Sequence, residues 1–131
     1  MNIDLPDVHA EAEAAFLSYE AALVANDLDA LRDLFWDSPL TLRFGAAEHL
    51  YGRDAIVAFR AARPAAPRPR ALLSYVVTTF GTHMASANAV FRNEGETRIG
   101  RQSQAWVRLP EGWRIVSAHV SYADPGVLDA P

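Results

Sequence analysis

Arg43, Arg60, Arg63 and Tyr19 have side chains and spacings that suit a site for a small anion. In "LRFGAAEHLYG", which runs from Leu42 to Gly52, Arg43 lies between two large apolar residues and is followed across a glycine by Glu48 and His49. With Gly45-Ala46 as a two-residue turn, Arg43 stands opposite Glu48 on paired strands. If exposed, that ion pair contributes well under ~1 kcal/mol. If enclosed, it is a guanidinium held in position by a carboxylate. A dozen residues on, Ile56, Phe59, Arg60 and Arg63 recur at the spacing of one helical face, so two arginines share a stripe with two core residues. Such arginines either snorkel past the helix edge or point into a cavity. Pointing inward, they would join Arg43 in a cationic pocket for a small dicarboxylate or carbamate, because guanidinium groups present paired donors that match a planar carboxylate.

Further groups border this set. Tyr19 lies on an apolar helical stripe beside Phe16 and Leu23. Such tyrosines usually belong to the core, but a hydroxyl reaching a cavity could donate to an oxyanion or pass a proton. Arg101, in "GRQSQ", could extend the cationic pocket. Its strand alternates Arg101, Ser103, Ala105, Val107 against Gln102, Gln104, Trp106, Arg108, and alternation leaves open which set faces inward. His119, in "SAHVS", shares a face with Trp113, Ile115, Ser117 and Ser121 if its strand is regular, either as a hydrogen-bonded structural residue or as part of the site. His9, His49 and His83 have no ligand spacing, and there is no cysteine, so no bound metal and no disulfide is expected. Nor is there a GxSxG elbow, P-loop or GxGxxG, so no cofactor is expected.

Composition narrows the field further. The chain has 131 residues, half of them hydrophobic, and sixteen carboxylates outweigh twelve basic residues to give a net charge of −4. All the basic residues are arginines, which removes Schiff-base chemistry on lysine. A net negative charge argues against a nucleic-acid partner. The acidic N-terminus lacks the basic patch and apolar run of a secretory signal, and no stretch has the ~18 apolar residues of a membrane span. The expectation is a cytoplasmic protein.

The elements that must position these side chains can be read from periodicity. Residues 7–26 form an amphipathic helix with Asp7 as N-cap, "LDALRDLF" a second, and "RDAIVAFRAAR" a third that runs to Arg63 before Pro64. A short hairpin, 40–44 and 47–51, lies between the last two. Leu40, Leu42 and Phe44 take one face and Thr41 and Arg43 the other, and one of these faces must meet the helices. From residue 71 four long strands follow in an antiparallel meander, separated by "GT", "NEGET" and "PEG". "PAAPRPR" is a connector within one domain spanning 1–131, with an ordered core of about 7–123 and a loose tail at 124–131. The order of elements gives an α+β fold in which three helices cover one face of a curved, mostly antiparallel sheet. The apolar run "LLSYVVTTF" needs cover on both faces, which a homodimer formed through the sheet would supply.

"LFWDSPLTLRFGAAEHLYGRDAIVAFRAARP" and "GRQSQAWVRLPEGWRIVSAHVS" resemble the AtzH-like and HpxZ-like branch of the NTF2-like (SnoaL-like) superfamily, and the resemblance extends from about Val8 to Tyr122. It implies a cone-shaped NTF2-like fold and a metal-independent decarboxylating amidohydrolase that converts 1,3-dicarboxyurea to allophanate in nitrogen catabolism. A tyrosine in the first helix and an arginine in the first strand are its implied catalytic pair, which here are Tyr19 and Arg43. Arg60, Arg63, Glu48, Arg101 and His119 are then the candidate substrate-binding residues. Two other readings stand beside this one: a non-catalytic accessory protein that binds an amidase partner, and an isomerase or cyclase using a carboxylate base, for which Glu20 and Glu48 are the candidates.

Overall fold

A computed structural model of the chain describes residues 1–130; Pro131, the end of the expected tail, lies outside the described residues. Helix α1 spans Pro6–Ala25, with Leu5 at the cap position and Pro6 in the first turn, where its missing N–H costs nothing. Asp7 is therefore not the cap as expected. It sits in the first turn, favourably placed against the helix dipole. Asn26 ends the helix in the left-handed conformation, its N–H returning to the carbonyls of Ala22 and Leu23. The buried stripe comprises Val8, Ala12, Phe16 and Tyr19, joined by Glu20. Helix α2, Leu28–Leu34, is capped by Asp27, whose carboxylate accepts from the Ala30 N–H.

Strands β1 (Leu42–Phe44) and β2 (His49–Tyr51) form the hairpin, but Arg43 pairs with Leu50 and Phe44 with His49. The turn is thus four residues, Gly45 to Glu48, closed by the Gly45 N–H donating to the Glu48 carbonyl at 2.9 Å. This is two positions from the expected register. A shift of two preserves the faces, so Arg43 and Glu48 stay on one side. Helix α3, Arg53–Ala61, begins after Gly52 at a positive φ of 88° and stops two residues short of Arg63.

Strands β3 (Arg70–Phe80), β4 (Met84–Asn93), β5 (Ile99–Leu109) and β6 (Gly112–Ala123) make the meander, and β1 joins it parallel to β6. The sheet order is β2-β1-β6-β5-β4-β3. The three helices cover one face of this curved sheet, and Phe16, Tyr19, Phe35, Ile56, Trp106 and Ile115 fill the space between. Each of these, fully buried, contributes about 1.5–3 kcal/mol. Beyond β6 the tail makes one exposed 3-10 turn, Pro125–Leu128. No described helix is long and apolar enough to cross a membrane.

Two features of the sheet decide which side chains meet the helices. On β5, Gln102, Gln104 and Trp106 face inward and are buried, so Arg101 and Ser103 face out. On β6, Ala105 pairs with Ser117 while Trp106 pairs with Ile115, leaving Val116 as a bulge. Strict alternation fails there. Trp113 and Ile115 point inward, as do Ala118 and Val120, whereas His119 turns outward.

Candidate functional site

Tyr19 is fixed by aromatic packing. Its ring stands edge-on to Phe35 at 6.0 Å and to Trp106 at 6.5 Å, and it is 2% exposed. Its hydroxyl accepts a hydrogen bond of 2.9 Å from Arg60 Nη2. Arg60 comes from α3, one turn beyond the buried Ile56, so the helical stripe delivers a guanidinium rather than a hydrocarbon to the core. It is 9% exposed and lies 6.0 Å from the Phe35 ring. Among the described residues no carboxylate comes within ion-pair distance of it, and its Nε has no partner. A buried cation without a counter-charge is expensive, because desolvation is not offset by any nearby anion.

Arg43 enters from β1. Thr41, fully buried, lies on its side of the strand, so the polar face of the hairpin meets the helices while Leu40 is left in solvent. Arg43 Nη1 donates to Glu48 Oε1 at 2.7 Å, and the guanidinium lies 5.9 Å from the Phe59 ring. The side chains of this pair are only 13% and 21% exposed. The turn accommodates the pair: a methyl group at position 45 would overlap the Glu48 carboxylate where it now stands, so this placement against Arg43 goes with a glycine there. Arg63 is exposed and also approaches the Phe59 ring, at 5.8 Å. Its guanidinium is held below its ordinary pKa, first by partial burial and then by repulsion from Arg68, Arg60 and Arg43, with Glu48 opposing. Four guanidinium groups therefore share one field with a single carboxylate. Exposure rises from Tyr19 and Arg60 at the bottom through Arg43 to Arg63 at the rim, and Arg60 borders a 40 Å³ space between α2 and α3.

The structure brings Tyr19 to Arg60, Arg43 to Glu48, and Arg63 to the same cationic field. It does not bring Arg101 or His119. Both are exposed on the outer face of the sheet, His119 because of the bulge at Val116 and Arg101 because Trp106 claims the inward parity of β5. His119 instead packs edge-on to Phe44 at 6.0 Å and borders a depression of 380 Å³ with Leu42, Phe44, Met84, Ser103 and Ser117. Glu20 is not a free base, for both its oxygens accept from Arg70. Gln104, which alternation left on either face of its strand, lies on the inner one. It is 4% exposed, and its Oε1 accepts from Trp106 Nε1 at 2.9 Å while its Nε2 has no partner. Its shared parity with Trp106, the largest apolar residue of β5, was the available signal. Among the described residues no group of three histidines, aspartates or glutamates could hold a metal.

Three helices laid on a curved six-stranded sheet, with polar side chains enclosed between the layers, define the NTF2-like or cystatin-like class of cone folds. The chain belongs to the AtzH-like family, which it matches over residues 1–126. A protein of unknown function from Pectobacterium atrosepticum is 52% identical over 93% of this chain and 95% of that one, with a TM-score of 0.89. A cystatin-like fold protein from Burkholderia xenovorans is 45% identical over 95% of this chain and 98% of its own, also at 0.89. An NTF2-like superfamily protein from Salmonella enterica is 28% identical over 91% and 92% of the two chains, at 0.69. No curated protein matches the chain.

Proposed function

We propose that the protein removes a carboxylate from N-carboxylated ureas, with 1,3-dicarboxyurea, converted to allophanate, as the substrate its family resemblance implies. In this reaction the bond between nitrogen and the terminal carboxylate carbon breaks, carbon dioxide leaves, and the electron pair stays on nitrogen, which takes up one proton. One observation carries the reading: Arg60 is a buried guanidinium with no carboxylate partner, bonded to a buried phenol. An anionic substrate supplies the missing counter-charge. Tyr19, whose oxygen accepts from Arg60, has its own proton available to the departing nitrogen, and Arg60 faces the charge left on the phenol oxygen until water restores the proton. Arg43 holds a carboxylate, with Glu48 orienting it, and Arg63 draws the anion in from the rim.

The test is turnover. Purified protein should release carbon dioxide from 1,3-dicarboxyurea, and both Tyr19→Phe and Arg43→Ala should lower kcat/KM by about 10²–10⁴-fold. Wild-type kinetics in either variant would strip that residue of its role.

The outer sheet face favours a second reading. Its depression bordered by Leu42, Phe44, Met84 and His119 is suited to a protein contact, either a second copy forming a homodimer or an amidase partner. An accessory protein would co-purify with an amidase and turn over no N-carboxylated urea.

A further inference from the structure

The connector from α3 to β3 and the turn from β4 to β5 line the two sides of a cleft of 410 Å³. The connector, "ARPAAPRPR", is stiff for a reason visible in its residues. Proline fixes φ at three positions, and Arg63 and Arg68 each precede a proline, which disfavours helical geometry in their own backbones. Hydrogen bonds then set its place. The Arg68 N–H donates to the Val24 carbonyl near the end of α1 at 2.8 Å, and the Glu94 N–H donates to the Pro69 carbonyl at 3.1 Å, which ties the turn to the connector. Arg68 Nη2 donates to the Pro64 carbonyl at 2.8 Å, so the guanidinium is held along its own wall. The opposite wall is held as well. Asn93 Nδ2 donates to the Tyr122 hydroxyl at 3.1 Å and to Glu96 Oε2 at 2.9 Å.

The two walls carry opposite charges and do not neutralise each other. Among the described residues neither Arg63 nor Arg68 comes within ion-pair distance of a carboxylate, and Glu94 meets no cation. Glu96 meets only Arg98, at 3.6 Å, too long for a hydrogen bond. Partial burial and the repulsion of Arg68, Arg60 and Arg43 hold the Arg63 guanidinium below its ordinary pKa, so a carboxylate brought to that wall is welcome. We propose that this cleft binds a small zwitterion of amino-acid type, its carboxylate on Arg68 and Arg63 and its ammonium on Glu96 and Glu94. Guanidinium groups present paired donors to a carboxylate, and the glutamates supply acceptors for an ammonium. A second carboxylate would meet Glu96 and Glu94, and a second ammonium would meet the arginines, so dianions and dications are both disfavoured. Each exposed contact is weak by itself, and binding needs both ends engaged. The cleft shares Arg63 with the rim of the anion site, but the inference does not rest on the reaction proposed above.

Three chains of one length separate the charge terms: 4-aminobutyrate carries both signs, succinate two negative charges and putrescine two positive ones. β-Alanine and 6-aminohexanoate vary the distance between the two charges. In NMR titrations of the full-length protein at low salt, at least one of the three amino acids should bind with a dissociation constant of about 1 mM, shifting backbone amide signals on both walls, in 63–70 and in 93–98. Succinate and putrescine should shift those two segments together only at concentrations at least about fivefold higher. Arg68→Gln and Glu96→Gln, both at the surface and outside the proposed reaction, should each weaken the amino acid by about threefold or more. They should leave turnover of 1,3-dicarboxyurea as it is in the wild type. Absence of binding by all three amino acids would overturn the inference, as would equal binding of succinate or putrescine in the cleft, or affinity untouched by both substitutions. Each of these results would leave the anion site at Arg60 and Arg43 standing. Failure of the protein to release carbon dioxide from 1,3-dicarboxyurea would remove the proposed reaction and leave zwitterion binding as the result that decides this cleft.

Discussion

Arg70 and Arg60 are both buried in the same small core, and the chain surrounds them in opposite ways. Arg70 Nε donates to Glu20 Oε2 at 3.1 Å, and its Nη2 bonds Glu20 Oε1 and, at 3.1 Å, Gln102 Oε1. Its guanidinium carbon lies 3.8 Å from the centre of the Phe91 ring, which itself fits only because Gly100 across the strand has no side chain. A carboxylate, a carboxamide oxygen and an aromatic ring all attend that cation. Arg60 has a phenol oxygen on one nitrogen, an orphaned Nε, and a distant aromatic ring. The first arrangement is what a fold does with an arginine it needs for structure. The second leaves a charge unsatisfied in a fold that shows elsewhere that it can satisfy one, and the proposed anion site rests on that asymmetry.

The contrast predicts opposite responses to substitution. Glu20→Ala should cost about 3–5 kcal/mol in urea denaturation, because it strands Arg70 as an uncompensated buried charge. A loss below about 1 kcal/mol would erase the distinction between the two arginines. Arg60→Met should leave stability within about 1 kcal/mol of wild type, since removing an unpaired charge offsets the bond lost at Tyr19. What it should remove is the response to an anion. Malonate at one hundred times its dissociation constant should stabilise the wild-type protein by about 2.7 kcal/mol and leave the methionine variant unmoved. Equal stabilisation of both would place the anion elsewhere.

The same contrast marks how far the sequence could be read. Spacing alone placed Ile56, Phe59, Arg60 and Arg63 on one helical face, and α3 does carry Arg60 into the core, because 3.6-residue periodicity survives small errors in helix ends. Alternation along β1 separated Arg43 from Leu40, Leu42 and Phe44, but which face meets the helices depends on packing that no local pattern states. Two-residue periodicity is less forgiving. A single extra residue at Val116 reverses every side chain beyond it, which is why His119 lies on the far side of the sheet from Trp113. On β5 both faces carry polar residues, so Arg101 and Gln102 could not be ranked by hydrophobicity, and Trp106 alone held the answer. Glu20 and Arg70, fifty residues apart, announce their pairing nowhere in the chain.

Between the two extremes stands Arg43, paired with Glu48 yet still at the edge of the unsatisfied field, and it offers the finest test. If Glu48 only closes the turn, Glu48→Gln should change stability by less than about 1 kcal/mol and do nothing to anion binding. If it holds Arg43 ready for a carboxylate while competing with it, Glu48→Gln should tighten malonate roughly fivefold, equivalent to about 1 kcal/mol, as expected for deleting one nearby like charge close to a protein surface. Turnover should fall at the same time, because the guanidinium is freer but less well aimed. Gly45→Ala approaches the same point without altering any charge. The added methyl would displace the Glu48 carboxylate from Arg43, so it should reproduce the loss of turnover while leaving most of the electrostatic competition in place. Malonate affinity and turnover unchanged in both variants would reduce the Arg43–Glu48 pair to a strut of the hairpin, and the charge in the site would then rest on Arg60 alone.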